Sequence, residues 1–360
     1  MNKINIYLQH LLKLTSTLIA FGIASTSTAD SLLAATPTAL PQFHVQNEWN
    51  LGGKGGWGFL VLDAPTHRLY IPRTNRVMVV DTDTGKVIGE VEDMKNIRNI
   101  ALDDSGKYGY VTDVTDGSAG FVRVFDRTTL KLVTSVPTGA VPAAIVFDPV
   151  SKSVFVFNSR GRSVTVIDST TNQVTATIPL TGRPSSAVGD GNGAIFVALP
   201  ATGEITRIDS AAEKVTSSWQ LAPCTGPSGL AIDSVRHQLF TTCEDHTLIA
   251  VNANTGQVTK IADAPANAGD IDFDAKHNLL FVADPAGSLL IFRRDSPLKY
   301  SKLQRVKTDP GARTMIVSLK DSKAYLVTSK FGKNTETASE ELQYRPTPIP
   351  GTFSVIVVGR

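Results

Sequence analysis

The chain has 360 residues, of which 42% are hydrophobic, enough to bury the core of one large or two ordinary globular domains. Lys and Arg total 35 and Asp and Glu total 33, which gives a formal net charge of +2 at pH 7. A protein that binds nucleic acid through its phosphates needs a basic surplus or stripe. The composition therefore disfavours nucleic acid as a partner.

The N-terminus has the residue order of a secretory signal peptide. Lys3 and Lys13 precede an apolar run, residues 14–24, and small residues follow that run. We predict a signal peptide over residues 1–29, which carries two of the basic residues and no acid. Its removal makes basic and acidic residues equal in number. The alternative is a retained membrane anchor, but the apolar run is shorter than a bilayer-spanning helix.

Cleavage is predicted after Ala29, with Ala35 as the second choice. Residues 30–42 then form a linker, and residues 43–360 form one domain. No transmembrane segment is expected once the signal peptide is removed, because no later apolar run is long enough.

From residue 43 onward, the chain repeats one pattern at intervals of 40 to 45 residues. Each copy has an apolar strand that ends in an anchor residue, then a turn and a second apolar strand. A third strand usually closes in an acid or amide, and a polar turn opens a fourth. The seven anchors are Asp63, Asp103, Asp148, Asp190, Asp233, Asp274 and Ser318.

Four short strands in each of seven copies predict an all-β fold, a seven-bladed β-propeller. The last copy lacks a fourth strand, because the chain stops at Arg360 after the third. Residues 45–53 align with the fourth strand of the third copy, residues 174–182. We therefore expect the N-terminal strand of the mature chain to complete the last blade and close the ring, which also protects strand edges.

One copy, VFVFNSRGRSVTVIDSTTNQVTATIPLTGRP at residues 154–184, closely resembles the YVTN repeat of exported bacterial β-propeller proteins. The other copies resemble it more loosely, and together they cover nearly all of residues 43–360. The resemblance implies a seven-bladed propeller that is exported to the periplasm or the exterior. It implies little about function, because propellers host unrelated activities.

Functional residues are expected where the first strands begin, since that face of a propeller usually receives ligands. Two rings of side chains follow from the alignment, one at the start of the first strands and one at the end of the second strands. Arginines interrupt both rings, and guanidinium groups suit carboxylates and phosphates. We predict a small anionic ligand held by residues from this set: Arg73, Arg98, Asn99, Arg183, Asp270 and Arg313. Alternatively, the arginines pair with acids or backbone carbonyls and only plug the channel.

Two further features map to the same face. Cys224 enters the fifth copy and Cys243 ends its second strand, so a disulfide is plausible in an oxidising compartment. A polar insertion over residues 330–351 interrupts the last copy, and it is either a lid over the channel mouth or a mobile loop.

Three functions fit these patterns, and the first is favoured. It is a non-catalytic exported propeller that binds a small anionic ligand, or a protein or peptide partner, at the channel mouth. The second is a metal-dependent lactone hydrolase or lyase, whose cation the nearby arginines would repel. The third is an envelope scaffold or a weak single-stranded nucleic-acid binder. No catalytic residue, metal site or cofactor is predicted. The residues considered as cation ligands for the second function are Asp270, Asp284, Asp113, Asn99 and Asn158.

Overall fold

Short runs of β-branched and aromatic residues, separated by turns rich in Asp, Asn and Gly, form 28 strands in the described part of the chain. The structure is a computed structural model that describes residues 42–115, 118–332 and 347–360. The predicted signal peptide, residues 30–41 of the predicted linker and the middle of the 330–351 insertion lie outside the described residues. The described residues form one compact unit.

The strands form seven four-stranded antiparallel sheets, the blades. β1 (His44–Asn50) comes first in the chain and belongs to the last blade. The first three blades are blade 1 with β2 (Val61–Asp63), β3 (Arg68–Arg73), β4 (Arg76–Asp81) and β5 (Val87–Val91); blade 2 with β6 (Ile97–Leu102), β7 (Tyr108–Thr115), β8 (Ala119–Asp126) and β9 (Leu132–Thr138); and blade 3 with β10 (Pro142–Asp148), β11 (Ser153–Asn158), β12 (Ser163–Asp168) and β13 (Gln173–Pro179).

The remaining blades follow the same order. Blade 4 has β14 (Ala187–Gly189), β15 (Ala194–Leu199), β16 (Glu204–Asp209) and β17 (Lys214–Gln220), and blade 5 has β18 (Leu230–Asp233), β19 (Gln238–Thr242), β20 (Thr247–Asn252) and β21 (Val258–Asp263). Blade 6 has β22 (Ile271–Asp274), β23 (Leu279–Asp284), β24 (Ser288–Ser296) and β25 (Lys299–Lys307). Blade 7 has β26 (Thr314–Val317), β27 (Ala324–Thr328) and β28 (Ser354–Gly359), and β1 is its fourth strand.

The first strand of each blade is the inner strand of a closed ring. Each inner strand contacts the inner strands of the two neighbouring blades, and the last such contact joins β26 to β2. The prediction of an all-β seven-bladed propeller is confirmed. Among the described residues, no helix is long and apolar enough to cross a bilayer.

The N-terminal strand closes the ring as predicted. β1 pairs antiparallel with β28, and Trp49 lies opposite Val355. In blade 3, Ile178 lies opposite Val164 at the equivalent pair, so the aligned fourth strands share one register. Phe43, just before β1, is buried and packs edge-on against Phe281 of blade 6, with 5.7 Å between ring centroids.

The apolar core lies between blades. Phe155 and Phe157 of blade 3 pack in one cluster with Ile195 and Val197 of blade 4. A single blade leaves such faces exposed to water, so the repeat is stable only when neighbouring copies cover them.

The repeated acidic residues cap the turns. The anchor Asp148 accepts a hydrogen bond from Ser151 N at 2.8 Å. At the end of the third strand, Asp168 accepts hydrogen bonds from the N–H groups of Thr170 and Thr171, both at 2.8 Å. The Thr170 hydroxyl and these main-chain bonds lower the pKa of Asp168. Local capping of this kind explains why the acids recur at a fixed place in the repeat.

The blades give the ring two faces. The mouth face is where the inner strands begin, and it also carries the turns between second and third strands. The lower face carries the turns between first and second strands and those between third and fourth strands.

Candidate ligand site at the channel mouth

Blade 1 meets blade 2 through a main-chain contact at the start of their inner strands. Phe59 N donates a hydrogen bond to the carbonyl of Arg98 at 2.8 Å. A Cβ on Gly58 would lie 1.8 Å from that carbonyl oxygen, so only glycine fits. The contact fixes the backbone that carries the Arg98 side chain.

Blade 6 meets blade 7 in the same way. Asp270 N donates to the carbonyl of Arg313 at 2.7 Å. A Cβ on Gly269 would lie 2.0 Å from the same oxygen. Arg98 and Arg313 therefore occupy equivalent, rigidly held positions.

The two arginines flank blade 1. Both are exposed, and the equivalent position between them in the ring is Gly58, which has no side chain. We call this part of the mouth face, Arg313, Gly58 and Arg98 with their neighbours, the arginine sector. The structure places these two predicted residues on the blades either side of blade 1.

Asp270 lies beside Arg313 and is partly buried. β26 is the inner strand of blade 7, and only one of its edges pairs with another strand, β27. On the free edge of β26, two main-chain N–H groups donate hydrogen bonds to the carboxylates of Asp270 and Asp272. The donors are Met315 N and Val317 N, both at 2.9 Å. Blade 6 thus satisfies donors that the inner edge of blade 7 would otherwise leave unpaired.

Burial shifts the pKa of both carboxyls. It raises the pKa of Asp270 to about 7, against the opposing effects of Met315 N–H and the Arg313 charge. It raises the pKa of Asp272 to about 6, although the N–H groups of Val317 and Phe273 favour the ionised form. A carboxyl that titrates near neutral pH therefore stands next to one of the two sector arginines.

Asn99 follows Arg98 and is partly buried. Its Oδ1 accepts a hydrogen bond from Ile100 N at 2.9 Å, and its own N–H donates to Thr112 Oγ1 at 3.1 Å. The side-chain amide nitrogen makes no hydrogen bond within the described residues, so this donor remains available to a ligand.

Arg73 does not belong to an accessible site, which corrects its prediction as a ligand residue. Its side chain is fully buried, with the guanidinium 3.7 Å from the ring centroid of Phe353. Its nitrogens donate to the carbonyls of Gly52, Lys54, Gly55 and Gly56 at 3.1–3.3 Å. Burial, and to a smaller extent the charge of Arg76, lowers the pKa of Arg73 to about 10. For Arg73, the alternative interpretation, pairing with backbone carbonyls, is the correct one.

The whole second ring is buried, and most of its members hold the connector that enters their own blade. Asp113 accepts hydrogen bonds from the N–H groups of Lys95 and Asn96, and Thr328 donates to the carbonyl of Pro310. The residue type at this position therefore varies between blades because different side chains hold the connectors in different ways. Its seven members are Arg73, Asp113, Asn158, Leu199, Cys243, Asp284 and Thr328.

Cys224 and Cys243 form a disulfide, with 5.6 Å between their Cα atoms. The bond clamps the connector of blade 5, as the other members of the second ring clamp theirs. It closes a segment whose ends are 19 residues apart, and the chain-entropy estimate for such a loop is about 3 kcal/mol.

Arg183 lies apart from the arginine sector. It is exposed on the connector that enters blade 4, and blade 3 separates it from Arg98. Its side chain forms no hydrogen bond or ion pair within the described residues. The structure does not bring Arg183 together with the other predicted ligand residues.

The described ends of the 330–351 insertion pair with each other next to the arginine sector. Gly332 N donates to the Thr347 carbonyl at 3.1 Å, and Ile349 N donates to the Lys330 carbonyl at 2.8 Å. The ring of Phe331 lies 6.2 Å from that of Trp57, the residue before Gly58. The predicted lid role concerns residues 333–346, which lie outside the described residues.

Sequence reasoning missed a set of ion pairs between blades at the lower face. Arg127 of blade 2 bonds the anchor Asp63 of blade 1, and Arg294 of blade 6 bonds the anchor Asp233 of blade 5. The two arginines occupy equivalent places, directly after the last position of the third-strand pattern. The recurrence of arginine at this position could have indicated a structural role. Its partner carboxylate could not be identified from the sequence, because that residue lies about one and a half repeats away in the chain.

One cluster has the composition of a catalytic triad without its geometry. Ser322 Oγ lies 2.6 Å from Asp274 Oδ2, and His277 Nδ1 lies 2.9 Å from the hydroxyl and 2.7 Å from the carboxylate. A Ser-His-Asp relay uses both ring nitrogens, whereas here both partners contact one. Ser322 is also buried, so the cluster joins blade 6 to blade 7.

The residues considered for a cation site do not converge. Asp113, Asn158 and Asp284 are buried and hold their own turns and connectors. Within the described ranges, no three His, Cys, Asp or Glu side chains are grouped so that they could hold a metal ion.

Comparisons with known proteins support the fold. No family model and no curated protein matches the chain. A solved structure described as Kuenenia stuttgartiensis hydrazine synthase is 18% identical with a TM-score of 0.64, covering 77% of this chain and 93% of that one. A structure described as U3-55K is 9% identical with a TM-score of 0.69, covering 87% of this chain and 98% of that one. At these identities, the two likenesses show a shared β-propeller architecture.

Proposed function

We propose that this chain is an exported propeller of the YVTN-repeat type that binds a small anionic ligand in the arginine sector. The observation that carries the proposal is the placement of Arg98 and Arg313. Both are exposed, both sit on backbone fixed by the preceding blade, and they flank the glycine of blade 1. The repeat resemblance and the signal-like N-terminus support the family and the export.

Two exposed guanidinium groups on the blades either side of blade 1 suit a planar carboxylate or a phosphate, because each presents paired N–H donors. The Asn99 amide adds a neutral donor beside Arg98. Such charge-assisted hydrogen bonds are stronger than bonds between neutral groups. The ligand class we infer is therefore a small organic acid or phosphate ester.

We favour binding over catalysis for this site. The arginines disfavour a cation, and three of the five side chains considered as its ligands are engaged elsewhere. Asp270 influences binding through Arg313. Its ionised form competes with the ligand for Arg313, so binding should strengthen as pH falls through the pKa of Asp270.

A thermal-shift screen tests the proposal, with inorganic phosphate, dicarboxylic acids and sugar phosphates as probes. A ligand at 100 times its dissociation constant stabilises the fold by about 2.7 kcal/mol, which corresponds to a few degrees in a chain of this size. The Arg98→Gln/Arg313→Gln variant should abolish the shift. Arg183→Gln is the matched control, since it removes an exposed arginine outside the sector. A shift that survives the double variant contradicts the proposal.

A further inference from the structure

We propose that the lower face of blades 5, 6 and 7 docks on an anionic lipid surface. The proposal is independent of the arginine sector, which lies on the mouth face. It rests on exposed apolar residues at the tips of turns, on the cations next to them and on a groove between two of the blades.

The four most exposed large hydrophobic residues in the described structure all lie on the lower face. Val235 is 75% exposed, Leu298 59%, and Val150 and Leu319 56% each, whereas the next most exposed residue reaches 49%. Three of them stand in turns between first and second strands, and Leu298 stands in the turn between β24 and β25. Outer strands supply most of the less exposed residues, so the lower face has the strongest apolar exposure.

Three of the four belong to consecutive blades, and a cation follows each directly. Val235 precedes Arg236, Leu298 precedes Lys299, and Leu319 precedes Lys320. These three cations are exposed, and so is Lys276 in the equivalent turn of blade 6. The ring holds these turns side by side, as apolar tips within a basic surface.

The carboxylates of this area do not cancel the positive charge. The anchors Asp233 and Asp274 are fully buried, and Asp233 is shared between Arg294 and Arg236, the latter at 3.4 Å, so one carboxylate faces two guanidinium groups. Asp295 is paired with Arg293 at 3.0 Å, and Asp321 with Lys323 at 3.3 Å. Lys276, Lys299 and Lys320 form no ion pair within the described residues. The exposed charge on the three blades is therefore net positive.

A groove of about 190 Å³ opens between blades 5 and 6 on the same side. Arg236 and His237 line it, together with Pro297 and the exposed Leu298. A phosphate headgroup in the groove would meet the guanidinium, while the apolar tip beside it reaches toward the acyl chains. This arrangement combines the two contributions that hold peripheral proteins on membranes, apolar insertion and attraction to anionic lipid.

The shape of the surface favours a bilayer over a protein partner. The apolar side chains stand on separate convex turns and do not line a common concave pocket. A fluid interface adapts to separate tips, whereas a protein partner needs a complementary surface for each. Val150 in blade 3 provides a contrast, because the nearby Lys152 is paired with Asp104 at 2.5 Å.

Vesicle cosedimentation tests the proposal. The protein is mixed with vesicles of phosphatidylcholine alone or of equimolar phosphatidylcholine and phosphatidylglycerol. We expect binding to the anionic vesicles, weakened by added salt. Lys276→Gln/Lys320→Gln should lower partitioning by about 25-fold, since each cation near an anionic surface contributes about fivefold.

The apolar contribution is tested separately. Val235→Ser/Leu298→Ser/Leu319→Ser should reduce partitioning by about tenfold or more, while Val150→Ser, equally exposed but outside the basic area, should leave it unchanged. All positions are exposed, and thermal unfolding of each variant verifies that the fold is intact. The proposal is overturned if the protein ignores anionic vesicles, if it binds both compositions equally, or if the triple and control variants behave alike. Recruitment of a protein instead of vesicles by this face would also overturn it.

Discussion

At the residue scale, burial decides what an arginine on the mouth face does. Arg73 ends the second strand of blade 1, and its side chain donates four hydrogen bonds to the carbonyls of one loop, residues 52–56. Arg98 begins the inner strand of blade 2 and is exposed. A guanidinium held by carbonyls stabilises the fold, whereas an exposed guanidinium can bind an anion.

Arg73 gives the first prediction. Arg73→Met should lower the free energy of unfolding by about 2–3 kcal/mol, because the loop carbonyls lose their donor. Denaturant unfolding measures the change. Arg183→Met, which removes an exposed arginine, should stay within about 0.5 kcal/mol of the wild type. Equal stability of the two variants would show that Arg73 is not a clamp.

For Asp270, we predict the direction in which stability changes with pH. Its pKa is raised by folding, so its contribution to stability is fully present below the unfolded pKa and is lost as pH rises toward about 7. Asp270→Asn keeps an oxygen for Met315 N and cannot ionise. The variant should therefore gain stability relative to the wild type between pH 4 and pH 8.

Urea unfolding at several pH values measures this difference, because titrations elsewhere in the chain cancel between the two proteins. Asp263 serves as the control position. It is an exposed carboxyl whose pKa is lowered by Lys260, so its ionisation affects stability in the opposite direction as pH changes. A difference between wild type and Asp270→Asn that does not change with pH would contradict the assigned titration.

The sequence allowed the arginine sector to be predicted but not the fate of Arg73. Position in the repeat predicts which face a residue occupies, and the structure has Arg98 and Arg313 exposed where their inner strands begin. It does not predict burial within a ring whose members differ. The carbonyls of the Gly-rich stretch at residues 52–58 are the hydrogen-bond partners of Arg73. A run of glycines in the sequence does not show which side chain will donate to those carbonyls.

At the element scale, β1 is the strand whose loss would open the ring. Phe43 attaches this strand to blade 6, since its N–H and carbonyl bond Gln304 and its ring packs on Phe281. Phe43→Ala should cost about 3 kcal/mol through the cavity it leaves. Chemical denaturation measures the loss, and the neighbouring exposed residue supplies the control variant, His44→Ala. An unchanged midpoint for Phe43→Ala would mean that closure does not depend on this contact.

Elements could be predicted here because their signals are local. An anchor such as Asp148 caps a turn three residues away, so the repeat shows it directly. The contacts between blades depend on the folded ring, as in the pair of Arg127 with Asp63, 64 residues apart. No local pattern identifies such a partner, although the recurrence of arginine at the equivalent position of blade 6 marks it as unusual.

At the scale of the whole molecule, the two faces of the ring carry different kinds of exposed side chains. The mouth face presents two arginines around a glycine with a titrating carboxyl beside them. The lower face of blades 5–7 presents apolar tips and cations, and its exposed acids Asp295 and Asp321 are paired with Arg293 and Lys323. A propeller docked on lipid by its lower face would direct its mouth away from the membrane, where a dissolved ligand can reach it.

The most direct measurement is a calorimetric titration of the strongest anion from the screen whose charge is the same at pH 6 and pH 8, into the wild type and Arg98→Gln/Arg313→Gln at both pH values. We expect tighter binding to the wild type at pH 6, where Asp270 is mostly protonated and competes less for Arg313. We expect no measurable heat from the double variant at either pH. Binding that persists in the double variant would contradict the arginine sector as the ligand site.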